Sequence, residues 1–503
     1  MSKLHIAGLI ALLFISALLG SSMLTRGHNW AYSDFSAYIM QAESILNGSV
    51  DDFIAHNKIT VEASDRPVGP IAYPWGYPLL LTPIVYLAGV SVAGMKLLNV
   101  IFYLLFLLCL FFLFRNRLST PDNFIITSLF AFSPVLLSFQ DNILSDISFL
   151  LASTAAIFLI DRLNRLDGAE QPCYLERILV GMAILAAFLI RTNGLLLLPT
   201  LFACQIFFLL KQRDKSTAIK KNLLPLATPY FVFLGLWIII SLLLPGGQSS
   251  HLSHYEDFRI GQLTSNLSYY NNLGSAFFQG IPYAQVIYNI CLVFFFLGMI
   301  LKWRDDLLFI LYTLLTILLY LSWPDLQGIR FLFPIFPFFI YFSLQGMKAF
   351  LGVLQKISKK DDSASEATQS TKVGAFIYYS FWVYLLVFSL LLSGQGALEN
   401  LSNDRDIHGP FDEVSIAMFE YVKSNIPEDS TVIFFKPRVM RLMTERDSIL
   451  ILQCDHLHQG DYVVINKKWE DMGQIHPEEI ASCDVPLERI YKNRRFNIYQ
   501  ILD

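Results

Sequence analysis

Trp30-Ala31-Tyr32-Ser33-Asp34-Phe35-Ser36-Ala37-Tyr38 runs directly into Ile39-Met40-Gln41-Ala42-Glu43-Ser44-Ile45-Leu46-Asn47-Gly48. Phe35, Tyr38, Ile39, Ala42, Ile45 and Leu46 recur at helical spacing, which predicts a helix with one apolar face lying along a membrane surface. Ser33 or Asp34 begins it and Gly48 ends it. Two readings of Asp34 compete. As an N-cap, its carboxylate would accept a bond from a free backbone amide of the first turn. As a functional group just outside the membrane, it would face a cleft as a general base or as a carboxylate that orients a cation.

The surrounding chain supplies the membrane. Of 503 residues, 54% are hydrophobic, 14% aromatic and only 16% charged. Apolar runs recur, each of the roughly 20 residues that cross a hydrocarbon core as a helix. The expected spans are 5–23, 94–114, 122–139, 146–160, 178–190, 194–210, 223–244, 284–301, 307–322, 331–347 and 374–394, about eleven transmembrane helices. Segment 79–90, with Pro83 inside it, is too short and reads as a re-entrant or interfacial helix. With the N-terminus inside, the inner connections hold eighteen Lys and Arg against seven in the outer ones before residue 400. That bias predicts a cytoplasmic N-terminus and an outer C-terminal segment. A cleaved signal peptide is the competing reading of Lys3 and the apolar run after it. The net charge of −4 gives no sign of a nucleic-acid partner; the bilayer is the expected one.

Chemistry-bearing residues collect at the outer boundary. The outer loop 24–93 holds the opening stretch, with Tyr32, and the turn Tyr73-Pro74-Trp75-Gly76-Tyr77-Pro78, whose Tyr73, Trp75 and Tyr77 are candidate cleft aromatics. Lys96 lies at the outer end of the second helix. Asp146 follows Gln140-Asp141-Asn142-Ile143-Leu144-Ser145 and opens a helix, where an N-cap is the plain alternative. Arg191, in the tight connection Arg191-Thr192-Asn193-Gly194, and Arg330, in Gly328-Ile329-Arg330-Phe331, either snorkel to lipid headgroups or bind a phosphate. His251, His254, Glu256 and Asp257 form a weak metal-binding pattern in the loop 245–282. Lys356 to Lys372 reads as a disordered inner linker.

Composition changes near residue 395, dividing the chain into a membrane domain, 1–395, and an outer α/β domain, 396–503. Thr431–Phe435, Ser448–Leu452 and Tyr462–Asn466 read as buried strands, and Val414–Asn425 as an amphipathic helix before them. An oxidising outer compartment permits a disulfide between Cys454 and Cys483; metal binding by Cys454, His456 and His458 is the alternative.

The order and sidedness of these parts resemble the GT-C glycosyltransferases, in particular bacterial relatives of the protein O-mannosyltransferases and of the aminoarabinose transferases that modify lipid A. The Asp34 stretch, the Tyr73–Pro78 turn, Ser145-Asp146, Leu189-Ile190-Arg191-Thr192-Asn193-Gly194, Arg330-Phe331-Leu332-Phe333-Pro334 and, in the outer domain, Lys436-Pro437-Arg438 carry the resemblance. No long loop resembles the inserted domain of the protein mannosyltransferases. The resemblance implies inverting transfer of a sugar from a polyprenyl-phosphate donor to a lipid, glycan or protein acceptor, at the outer face of a bacterial inner membrane, with the C-terminal domain periplasmic. It casts Asp34 and Asp146 as catalytic carboxylates and Arg191, Arg330 and Lys96 as donor-phosphate ligands. No cofactor is expected, with a divalent metal left open. The alternatives are a transferase or polymerase of whole oligosaccharide units, a flippase for lipid-linked sugars, and an inactive lipid-binding scaffold.

Overall fold

A computed structural model describes residues 2–166, 174–211, 215–245, 259–324, 326–358, 364–468 and 473–502. The chain opens with α1 (Lys3–Ser22), then the helices α2 (Asp34–Asn47), α3 (Val50–Glu62) and α4 (Gly76–Ala88) of the first long loop, and re-enters the bundle as α5 (Val92–Phe114). α6 (Thr120–Ala131), α7 (Pro134–Phe139), α8 (Asp146–Leu166), α9 (Tyr174–Ile190), α10 (Leu197–Lys211), α11 (Lys215–Leu243), α12 (Gln262–Gly274), α13 (Ala284–Lys302), α14 (Leu307–Ser322), α15 (Phe336–Ser358) and α16 (Ala364–Ser402) follow. Every expected span has a helical counterpart. Seven of these helical stretches among the described residues are long and apolar enough to cross a bilayer, so the chain is a multi-pass membrane protein. Helices α9 and α14 are shorter, at 17 and 16 residues. The expected helix 122–139 is two, because Pro134 lacks the amide that would continue it and the Ser133 hydroxyl caps α7 instead.

Helix α2 starts and stops where expected, Gly48 taking the left-handed conformation (φ 67°) that suits a residue without Cβ. Its apolar face does not lie on a membrane surface. Phe35, Tyr38, Ile39 and Ala42 are buried within the protein, and the helix packs against α4. Of the expected linker 356–372, the described residues are helical, α15 reaching Ser358 and α16 beginning at Ala364, where Ala, Glu and Gln favour helix; 359–363 lie outside the described residues.

Helix α16 runs through residue 395 and ends at Ser402. After α17 (Glu413–Asn425), strands β1 (Thr431–Ile433), β2 (Asp447–Ile449), β3 (Tyr462–Asn466), β4 (Leu487–Lys492) and β5 (Phe496–Ile501) form one mixed sheet, order β2-β1-β3-β5-β4, with α18 (Pro437–Thr444) between β1 and β2. The three expected strands are its parallel part; the antiparallel pair β4 and β5 completes it. Cys454 and Cys483 are joined in a disulfide, Cα atoms 5.3 Å apart. The alternative metal site fails because the Cys454 sulfur is thereby used and His456 Nδ1 bonds Asp65 Oδ1 at 2.5 Å. The His251–Asp257 pattern lies outside the described residues.

This domain sits directly on the loop that holds α2 to α4. Trp30 packs among Phe419, Phe434, Phe435 and Phe496, ring centroids 5.0 to 6.5 Å away, so one apolar core runs from bundle into domain. The backbones of Asp65 and Leu450 pair at 2.9 Å, and the Asp65 carboxylate accepts the Leu452 amide at 2.7 Å. Asp412 caps α17 through the Ser415 amide (2.9 Å) and pairs with Arg495 at 2.5 Å. Burial pushes both carboxyls up, but the amide bonds and the cationic or imidazole partners outweigh it and hold both below the usual carboxylate value. A depressed folded-state pKa gives stability that is present above the unfolded value of about 4 and lost as pH falls below it. Acidification through that range should therefore loosen this domain. Asp412→Asn, which keeps the cap and loses the Arg495 pair, should cost about 1–2 kcal/mol at neutral pH and flatten the acid slope. Hydrogen exchange across 413–501 reads both.

Candidate active site

Four charged side chains converge because four separate chain ends meet at one end of the bundle. Asp34 is the first residue of α2 and Asp146 the first of α8, positions where a carboxylate is favoured by the helix dipole. Arg191 is the single extended residue between α9 and the 3-10 turn Thr192–Leu196. Arg330 lies in the 3-10 turn Ile329–Ile335 that leads into α15. Gly194 lets the turn fold back on α9, since a Cβ there would collide with the Ala187 and Phe188 backbone. Gly76 does the same for the Tyr73–Pro78 turn, where a Cβ would lie 2.6 Å from the Leu189 carbonyl. Both close approaches bring Tyr73 and Arg191 to the same cleft.

The contacts are ionic and only partly saturated. Arg191 bonds Asp146 Oδ1 at 2.5 Å, with both side chains largely buried. Arg330 reaches Asp34 Oδ2 at 3.5 Å and Asp146 Oδ2 at 3.7 Å, longer than a strong charge-assisted bond. Among the described residues, the buried Asp146 Oδ2 has no hydrogen-bond partner. Tyr73 donates its hydroxyl proton to Asp34 Oδ1 at 2.7 Å; burial first, and then the Asp34 charge, hold that phenol protonated well above its ordinary value. The Phe331 ring is shared by the two guanidinium groups, Arg191 at 4.6 Å and Arg330 at 5.2 Å, and Tyr32 lies under Arg330 at 5.2 Å. Asp34, Tyr73, Arg191, Arg330 and Phe331, together with Tyr38, Ser145, Asn193, Tyr320 and Gln327, line a cavity of about 240 Å³. Among the described residues Asp34 therefore caps no backbone amide, and both arginines turn inward onto carboxylates.

The expected site residues divide. Asp34, Tyr73, Arg191 and Arg330 line the cavity, with Asp146 beneath the arginines and Tyr32 stacked beside them. Lys96 does not line it. Its ammonium is fully buried, bonds Asp141 at 2.6 Å and Thr25 Oγ1 at 2.7 Å, and ties the loop after α1 to the loop before α8, so it cannot meet a donor phosphate. Trp75 and Tyr77 are packed away from the cleft, the first with its indole N–H on the Pro245 carbonyl at 3.2 Å, the second fully buried against Tyr38. Tyr38, Tyr320 and Arg438 belong to the site and were not expected. Tyr38 had a signal, four residues after Asp34 and so on the same helix face. Arg438 had none from spacing; it arrives from α18 and holds Tyr73 through an NH1 contact of 3.4 Å. Among the described residues no group of three or more His, Cys, Asp or Glu is placed to hold a metal ion.

No family model matches the chain, and no curated protein matches it in sequence. Solved structures do match in fold. ArnT from Cupriavidus metallidurans bound to undecaprenyl phosphate aligns with a TM-score of 0.57 over 99% of this chain and 98% of its own, at 9% identity. The oligosaccharyltransferase AglB from Archaeoglobus fulgidus, in complex with an inhibitory peptide and a dolichol-phosphate, aligns with a TM-score of 0.54 over 93% of this chain and 70% of its own, at 10% identity. A third structure, the Archaeoglobus enzyme in complex with Zn and sulfate, aligns at 0.53 over 97% and 72%, also at 10% identity. At such identity the likeness shows the fold, which is that of the GT-C membrane proteins.

Proposed function

We propose that the chain is an inverting membrane glycosyltransferase that moves a sugar from a polyprenyl-phosphate donor to an acceptor hydroxyl. The observation that carries this reading is a carboxylate, Asp34, and two inward-turned guanidinium groups on one cavity. In-line displacement at the anomeric carbon needs both. The acceptor oxygen bonds to that carbon as its proton passes to Asp34, and the carbon–oxygen bond to phosphate breaks with its electron pair leaving on the polyprenyl phosphate. Arg330, held only by long contacts, has donors left for that phosphate; Arg191, locked to Asp146, adds fixed positive charge. Undecaprenyl phosphate bound to ArnT and dolichol-phosphate bound to AglB, proteins of the same fold, support the donor class. The position of the site supports it over a flippase, whose substrate groups would be expected near the midplane. Asp146 opens α8 and Asp161 nearly closes it, about 22 Å further along, and the site lies wholly at the Asp146 end. With the cation bias of the loops, the reading puts this end in the periplasm of a bacterial inner membrane and the N-terminus in the cytoplasm.

Purified protein incubated with a panel of radiolabelled undecaprenyl-phosphate sugars and a membrane lipid extract should transfer one of them, with inverted anomeric configuration in the product. Because arginines supply the charge facing the leaving group, transfer should persist in EDTA. Absence of transfer from every donor, with undecaprenyl phosphate still bound, would replace the enzyme by a binding scaffold.

A further inference from the structure

Asp34 and Tyr73 line a second cavity, of about 450 Å³, on the side of the C-terminal domain. Its other walls are Arg66 to Gly69 of the outer loop and the turn Phe435-Lys436-Pro437-Arg438 with Leu450. Three cations thus face a single carboxylate. Arg438 is committed: Nε bonds Asn57 at 3.1 Å, NH2 bonds the Pro70 carbonyl, and the guanidinium lies 5.4 Å from the centre of the Tyr73 ring. Arg66 and the half-buried Lys436 are not; among the described residues neither makes a hydrogen bond or an ion pair. Burial and the nearby Arg66 pull the Lys436 ammonium below its ordinary value, with Asp34 acting the other way. An ammonium kept half out of water with no ion-pair partner in reach is costly unless a ligand supplies one.

Resting on the transferase reading above, we infer that this cavity receives the acceptor, and that the acceptor carries a phosphate group on Lys436 and Arg66 beside the hydroxyl that attacks. A phosphate can accept from an ammonium and a guanidinium through different oxygens. The phosphate itself is not the nucleophile. To reach the donor past Asp34 it would have to approach a carboxylate of like charge, whereas a neutral hydroxyl loses its proton to that carboxylate as it attacks. The donor phosphate occupies the arginine-lined cavity, so the sugar passes between the two cavities across their shared wall, Asp34 and Tyr73.

The test uses full-length protein in nanodiscs of zwitterionic lipid. Two phosphate-bearing polyols, dihexanoyl phosphatidylglycerol and glycerol 3-phosphate, stand for a lipid headgroup and a soluble source; dihexanoylglycerol, a hydroxyl without the anion, is the control. At least one phosphate probe should bind better than the control, and the stronger of the two names the source. Lys436→Ala should weaken that probe about tenfold or more, and Lys436→Arg should restore it to within about threefold. Undecaprenyl phosphate affinity should be the same in all three proteins. Equal binding of the best phosphate probe by the native protein and by Lys436→Ala with Arg66→Ala overturns the inference, as does a control that binds equally well. If the native protein fails to bind undecaprenyl phosphate, the donor reading falls and this inference with it. Retained undecaprenyl phosphate binding with an insensitive phosphate probe removes the inference alone.

Discussion

Asp34→Asn is expected to lower the turnover of sugar transfer by about 10²–10⁴-fold, the usual contribution of a positioned general base. The substitution is nearly isosteric. An asparagine carbonyl can still accept the Tyr73 hydroxyl at the 2.7 Å now spanned to Oδ1, so the wall between the two cavities should keep its shape. What is lost is the ability to take a proton and the negative charge facing Arg330. One readout isolates the lost charge. Undecaprenyl phosphate should bind as well or better, because Arg330 no longer shares its charge with Asp34. Tyr73→Phe is the companion variant: it removes one bond to the carboxylate but no proton acceptor, so its loss should be nearer tenfold. Transfer by Asp34→Asn at a near-native rate would reduce Asp34 to a partner of Tyr73 and Arg330.

How far the chain reveals this site follows from which contacts are local. Asp34 and Asp146 are visible because each opens a helix whose apolar spacing can be read from neighbouring residues. Arg191 and Arg330 are visible because a charge at the end of an apolar run demands an explanation. What those charges touch is not local. Snorkelling and an inward turn look alike in sequence, and Asp146 decides between them from 45 residues before Arg191. Lys96 fails for the same reason: a lysine at a helix end looks available until Asp141, 45 residues on, takes it. The apolar face of α2 is legible as a face, but whether lipid or protein covers it depends on α4 and α18. Arg438 and Lys436 lie beyond any spacing argument, since their cavity exists only once the C-terminal domain rests on the outer loop. The β4 and β5 pair is faint because β4 carries Glu488, Arg489 and Lys492 and β5 is interrupted by Asn497 and Gln500, without the apolar runs that mark β1 to β3.

Arg330→Ala should lower kcat/KM for the donor by about 10²–10³-fold, the cost of removing one preorganised donor from a developing oxyanion. Arg191→Ala should lose as much activity but for a mixed reason. Its 2.5 Å bond is the short one to a carboxylate that is almost wholly buried, and only the 3.7 Å approach of Arg330 would remain. Stranding a buried charge costs about 3–5 kcal/mol, so Arg191→Ala should also melt earlier than the native chain. The pair Arg191→Gln with Asp146→Asn separates the two effects. With both charges gone, nothing buried is left unpaired, and the thermal midpoint should return most of the way to native. Transfer should not return, because the charge that faces the leaving phosphate is still missing. Recovery of stability and activity together would make the Arg191 and Asp146 pair a strut of the fold and leave Arg330 as the cation for the phosphate. Recovery of stability alone would place Arg191 in the chemistry, with Asp146 as the group that holds it there.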